Sequence, residues 1–338
     1  MYKKATYLFL FLFSLATVVA QENKVVPFDR STLNDGPFIF IKQDSIIEKS
    51  IVKGEVITRY LPKNSIQTEF TPEPSTYKNV KNIAALSDIH GQYDLAVTLL
   101  KNNKIIDRGD KVHETLLLVY KLEQQAKKQG GQVHFLLGNH EYMVLHNDLR
   151  YIHRKYRHTT RLLRITYDQL YGKNTVLGRW LRSKSTIVKI NADYFLHGGI
   201  SKDFITTTGF SSDSIHQVNA TMRAAIDRTK EEMKLTDFYT TYFSSKGPVW
   251  YRGYFYDNLE ETEIDDILHS LDSKHIVVGH CSNKEVVQLY NHKIYGVDSS
   301  LKLGEYGEIL LIKNKRYQRR TLKGKRKQFS KLDSENSN

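Results

Sequence analysis

Four short apolar runs, each stopping abruptly at histidine, aspartate or asparagine, constrain this chain more than any other feature. Ile83 to Leu86 ends at Ser87-Asp88-Ile89-His90, Val133 to Leu137 at Gly138-Asn139-His140-Glu141, Tyr194 to Leu196 at His197-Gly198-Gly199, and Ile276 to Val278 at Gly279-His280. Runs this short suit strands rather than helices, and apolar runs without alternation suit strands covered on both faces. In such sheets the carboxyl ends of the strands open into loops that bind ligands. The grammar therefore predicts buried parallel strands delivering Asp88, His90, Asn139, His140, His197 and His280 to one place.

Helical patterns fill the gaps, notably Lys111 to Gln129, with Leu116, Leu117, Tyr120 and Leu122 on one side. Before the first run, Pro37 to Leu61 reads as strands with turns near Asp44 and Gly54, and Leu61 to Tyr77 carries Pro62, Pro72 and Pro74, as a linker does. The chain thus divides into a leader over 1–20, a β extension and linker over 21–78, a main domain over 79–313 and a basic polar tail over 314–338. Inside the main domain, residues 148–184 form a helical insertion with ten lysines and arginines against two aspartates. An apolar content of 40% supplies a full core for 338 residues.

The leader has Lys3 and Lys4, an apolar run from Leu8 to Leu15, and small residues Val18 and Ala20 before Gln21. This is the pattern of an export signal, and the run is shorter than the ~20 apolar residues that a membrane span needs. The expectation is an exported protein, periplasmic or secreted, with no stable membrane span after cleavage. Cys281 is the one cysteine, so no internal disulfide can form. A formal charge of +13, two less without the leader lysines, favours anionic partners without selecting among them.

Carboxylate, amide and imidazole donors without thiolates suit hard or borderline divalent ions such as manganese, iron or zinc. Two such ions can clamp the attacking and leaving oxygens of a phosphoryl displacement.

Taken in order, Ser87-Asp88-Ile89-His90-Gly91, Asp107-Arg108-Gly109, Gly138-Asn139-His140-Glu141, His197-Gly198-Gly199, Arg252-Gly253 and Gly279-His280 resemble the signature blocks of calcineurin-like metallophosphoesterases. Trp250-Tyr251-Arg252-Gly253-Tyr254 and Gly296-Val297-Asp298-Ser299 resemble those of the bacterial, Shewanella-like branch of protein serine/threonine phosphatases. The resemblance spans roughly Lys81 to Ile312. It implies an α/β fold, a β-sandwich of mixed sheets flanked by helices, here with an N-terminal β extension. It also implies two divalent metal ions, with Asp88 and His90 on one, Asn139, His197 and His280 on the other, a metal-bound hydroxide as nucleophile, His140 protonating the leaving oxygen, and Arg108 and Arg252 gripping phosphate. Glu141 reads as a helix cap and Asp298 as a surface turn residue.

The second signature departs from the family, where a first aspartate bridges both metals and a second, three residues on, orients the acid histidine. In the conventional register the bridging position is Lys104, which brings a like charge and no ligand, and Asp107 orients His140. In the alternative, Lys104-Ile105-Ile106 is a shortened strand, Asp107 bridges the metals and Asp110 orients His140. A deletion relative to the family is the simplest description.

Three functions follow. The first is a phosphoric monoester hydrolase acting on phosphorylated protein or a small phosphate ester. The second is a phosphodiesterase or nuclease, which the same metals and the basic charge would serve, with nucleic acid the less favoured partner. The third is a degenerate anion-binding module without turnover.

Overall fold

The computed structural model describes residues 29–107 and 115–330; the leader, Arg108 and Asp110 lie outside them. Three sheets organise the chain. Strands β1 (Asp35–Ile41), β2 (Ile46–Val52) and β3 (Glu55–Leu61) form an antiparallel meander in that order, turning near Asp44 and at Lys53-Gly54. Both Lys53 and Gly54 adopt positive φ, the conformation a two-residue hairpin turn requires. This extension clasps the basic insertion: Ile41 N donates to Asn174 O at 2.7 Å, and buried Asp35 receives the Thr159 hydroxyl.

The main body is a sandwich. Strands β4 (Thr76–Tyr77), β6 (Ile187–Ile190), β7 (Asp193–Leu196), β8 (His275–Val278), β10 (Ile294–Gly296) and β9 (Val287–Leu289) form one sheet in that spatial order. The other holds β13 (Arg326–Lys327), β12 (Arg316–Thr321), β11 (Glu308–Lys313) and β5 (Asn82–Ala85). Val188, Phe195, Val277 and Val297 of the first sheet and its flanks meet Leu310 and Ile312 of the second in an apolar cluster. The six-stranded sheet buries its other face under helices, with Trp180, Tyr194, Ile276 and Ile264 in one core. Helix Tyr93–Asn102 covers the four-stranded sheet, where Leu99 and Leu100 meet Ile309 and Leu311.

Several elements differ from expectation. β5 is not a central parallel strand; it pairs antiparallel with β11, its one strand partner among the described residues. Val133 to Leu137 forms no strand and makes a single bridge, Leu136 to Ser185. The boundary at 313 falls inside a hairpin, because β12 belongs to the sandwich although half of its sequence, RYQRRT, is cationic. Its pleat turns Arg319 inward, where Glu308 and Glu285 neutralise it. Helix Thr115–Lys128 accounts for the described part of the helix expected over 111–129.

Lys104-Ile105-Ile106 is not a strand either. Helix Tyr93–Asn102 ends by turning Lys104 to φ 60°, with Ile105 N bonded to Leu100 O at 2.9 Å and Asn103 N to Leu99 O at 3.2 Å. Closing a helix through a left-handed residue consumes the backbone groups a strand would pair.

The insertion is anchored by a buried ion pair. Glu123 receives Lys184 Nζ at 2.6 Å and Trp180 Nε1 at 2.8 Å, and all three residues are at most 5% exposed. We expect Glu123→Ala to cost about 3–5 kcal/mol in urea unfolding, because it strands an ammonium group in the core. A loss below about 1 kcal/mol would mean that water reaches Lys184.

Candidate active site

Parallel pairing of β7, β8 and β10 brings their carboxyl ends to one edge, and there the predicted residues meet. His197 follows β7 and His280 follows β8, with His197 Nε2 3.0 Å from His280 Nδ1. Asp88, beyond β5, accepts the His280 backbone N–H at Oδ2 (2.9 Å), and its Oδ1 lies 3.5 Å from His90 Nε2. His90 in turn packs edge-on against His140, ring centroids 4.9 Å apart. Asn139 and His140 open helix Asn139–Leu145, whose first turn is held by Glu141 Oε2 accepting Gly138 N–H at 2.9 Å. Glu141 is thus the helix cap.

The backbone works hard to achieve this convergence. Asp88, His90 and His280 all adopt left-handed φ, at 53°, 46° and 64°. Two glycines allow the close approach: a Cβ on Gly279 would lie 2.5 Å from Ser87 Oγ and 2.8 Å from Asp88 Oδ2, and one on Gly138 would lie 2.9 Å from the His197 ring.

Charge is distributed unevenly. Burial pushes the His197 and His280 imidazoles down to about 4 and about 3, the effect reinforced at His280 by His197 and Arg252. Both rings are therefore neutral at neutral pH. Burial also lowers His140, with His90 adding to the effect. Burial alone would raise the Asp88 carboxyl, but hydrogen bonding to His90 and to the His280 N–H outweighs it and holds Asp88 far below the usual range. The same bond raises His90.

Asp298 is not a surface turn residue. It is fully buried at the end of β10, accepting from Ser282 Oγ (2.7 Å) and Ser300 N (3.0 Å), and its carboxyl is raised by burial and then by the charge of Asp88. It ties the loop after His280 to the sheet. The signal was present, since Tyr295-Gly296-Val297 is one more apolar run ending at a ligand-type residue.

Arg252 is exposed at the rim with its guanidinium carbon 5.9 Å from the Trp250 ring, and Trp250 itself meets His280 edge-on. Asp107 is exposed and lines the same cavity as Asp88 and Asn139. That cavity, about 1940 Å³, runs inward between Ile83 and Ala85 of β5 and the Phe135-Leu136 segment. Lys104 and Ile105 line its wall rather than fill it.

Among the described residues no group of three or more His, Cys, Asp and Glu side chains is arranged as a ready metal cage. The donors nevertheless suit a divalent ion. Asn139 Oδ1 and His280 Nε2 are buried without hydrogen-bond partners, and buried polar atoms are rarely left so unless something else satisfies them. The neutral imidazoles of His197 and His280 beside the ionised Asp88 carboxylate are in the protonation states a metal requires.

The sequence profile of the calcineurin-like phosphoesterase family matches residues 81–281, and the chain belongs to that family of phosphoester hydrolases. Its relatives include Shewanella-like protein phosphatase 1 of Plasmodium berghei, 24% identical over 91% of this chain and 84% of that protein. An uncharacterised protein of Schizosaccharomyces pombe is 23% identical over 67% of this chain and 75% of its own length. Among solved structures, the cold-active protein tyrosine phosphatase of a psychrophilic Shewanella superposes with a TM-score of 0.81 at 37% identity, covering 88% of this chain and all of that one. Among the described residues no helix is long and apolar enough to cross a membrane.

Proposed function

We propose that this protein is a metal-dependent phosphoric monoester hydrolase acting on phosphorylated protein side chains, phosphotyrosine among them. The observation that carries this is the meeting of Asp88, His90, Asn139, His140, His197 and His280 at one sheet edge, with Asn139 Oδ1 and His280 Nε2 both lacking partners. The similarity to a tyrosine phosphatase over nearly the whole chain supports the substrate class. Asp88 and His90 would hold one ion, and Asn139, His197 and His280 the other. Bound there, divalent ions would neutralise charge on the phosphoryl oxygens and supply an acidified water. Arg252, at the rim, would orient the phosphate through directional N–H donors. His140, neighbouring the ligands but pointing at His90, would deliver a proton to the departing oxygen. The leader-type first twenty residues support export.

The direct test is hydrolysis of an aryl phosphate with manganese, before and after chelation. Activity that chelation abolishes and manganese restores is expected; activity indifferent to chelation would sink the reading.

Asp107 is assigned the role of shared ligand, because of the two cavity-lining residues it brings a carboxylate whereas Lys104 brings a cation on a helix end. Asp107→Asn should therefore reduce bound metal from two ions toward one and lower the rate with it. Lys104→Asp should change neither. If instead Lys104→Asp raises metal content and rate, Lys104 occupies the bridging position and Asp107 orients His140.

A second reading, an anion-binding module without turnover, draws on the missing strand and on the lack of a ready cage among the described residues. No ion retained after chelation and reconstitution would favour it.

A further inference from the structure

Beside His140, on the loop that follows its helix, stands an aromatic ring that the chemistry above leaves unused. Tyr151 is 65% exposed, lines the cavity that holds the ligand residues, and has its ring centroid 5.5 Å from that of His140 at an interplanar angle of 72°. A large exposed aromatic at the mouth of a site is unusual enough to ask what holds it and what it meets.

It is held from behind. Asp148 N bonds back to Met143 O at 2.7 Å, so the loop folds against the helix that His140 opens. The Asp148 carboxylate then grips Arg150 in a two-pronged pair, Nε to Oδ1 at 2.7 Å and Nη2 to Oδ2 at 2.8 Å, and also receives Lys230 Nζ at 2.9 Å. The Arg150 guanidinium carbon lies 5.5 Å from the Tyr151 ring. Planar, forked pairing fixes an arginine in one orientation, and a guanidinium over a ring restrains that ring.

We infer that Tyr151 is a specificity-determining platform: it packs against the ring of an aromatic leaving group and so favours phosphotyrosine over phosphoserine. The inference rests on the proposed role of His140. If that imidazole gives its proton to the leaving oxygen, whatever the oxygen carries must lie on the open side of the ring, where Tyr151 stands. A tyrosyl ring there gains an aromatic contact, whereas a seryl methylene is too short to reach it.

The test compares matched phosphotyrosine and phosphoserine peptides on the full chain with manganese, together with the affinities of their non-hydrolysable phosphonate analogues. Tyr151→Ala should lower the phosphotyrosine-to-phosphoserine ratio of kcat/KM about five- to tenfold, mostly through KM, with the same trend in analogue binding. Tyr151→Phe should keep the wild-type ratio, and Arg150→Ala should lower it partway. A ratio unchanged in Tyr151→Ala, or both peptides falling together, would overturn the platform and leave a merely structural tyrosine. A wild-type chain that binds the aryl analogue preferentially but hydrolyses neither peptide would refute the hydrolase reading and leave the platform standing. Equal affinity for both analogues would refute the platform alone.

Discussion

His140→Ala is expected to reduce turnover of a phosphomonoester by ~10²–10⁴, the usual contribution of a positioned acid or base, with little change in bound metal. The imidazole lies on a helix whose cap is independent of it, since Glu141 and Gly138 close the first turn without the His140 side chain. Its ring contacts are with His90 and Tyr151, both edge-on, so its removal opens space beside those two rings. The signature of an acid, rather than of a packing residue, is dependence on the leaving group. Esters of good leaving groups such as nitrophenol need little protonation and should lose far less than esters of alcohols. Uniform loss across leaving groups would point to misplaced substrate instead, and loss of metal would make His140 a ligand.

Gly279→Ala is expected to be nearly as damaging while removing no proposed ligand. The new methyl would stand 2.5 Å from Ser87 Oγ and 2.8 Å from Asp88 Oδ2, distances at which one side must move. Gly279 cannot yield easily, because its N–H is tied to His197 O at 2.9 Å and it is followed by His280. The Asp88 carboxylate must therefore leave the His280 N–H, and a displacement near 1 Å within a reacting constellation can cost about 10²-fold. Metal affinity should fall in parallel, measured by titration into the chelated protein, while the melting temperature changes by only a few degrees. Wild-type metal binding and rate in Gly279→Ala would show that the Ser87-Asp88 turn is pliant and the site less preorganised than its contacts suggest.

Much of this site was legible in the letters because strand ends carry their own punctuation. A short apolar run followed by glycine and an imidazole or carboxylate specifies a position in space as well as a residue type, and His197 and His280 came together as that pattern requires. The extension was equally readable, its turns marked by Asp44 and Gly54. What failed were inferences that depend on neighbours. Val133 to Leu137 has the composition of a strand, yet strands exist by pairing, and among the described residues this segment finds only the bridge from Leu136 to Ser185. Arg316 to Thr321 was hidden by its charge, because burial of Arg319 depends on Glu308 and Glu285, one of them eleven positions away. Asp298 was misjudged for a similar reason: its serine partners are invisible until the loops close over it.

The left-handed backbone at Asp88, His90 and His280 has a consequence for the protein's history as much as for its chemistry. Residues with a Cβ resist that conformation, at roughly 1–3 kcal/mol each, and glycine does not. Replacing exposed His90 by glycine would thus relieve the backbone even as it removes a proposed ligand. At His90 the proposed ligand geometry sits uphill of an inactive alternative, so selection for turnover keeps that side chain in place. Descendants released from that selection would drift toward silent, sturdier copies rather than toward unfolded ones.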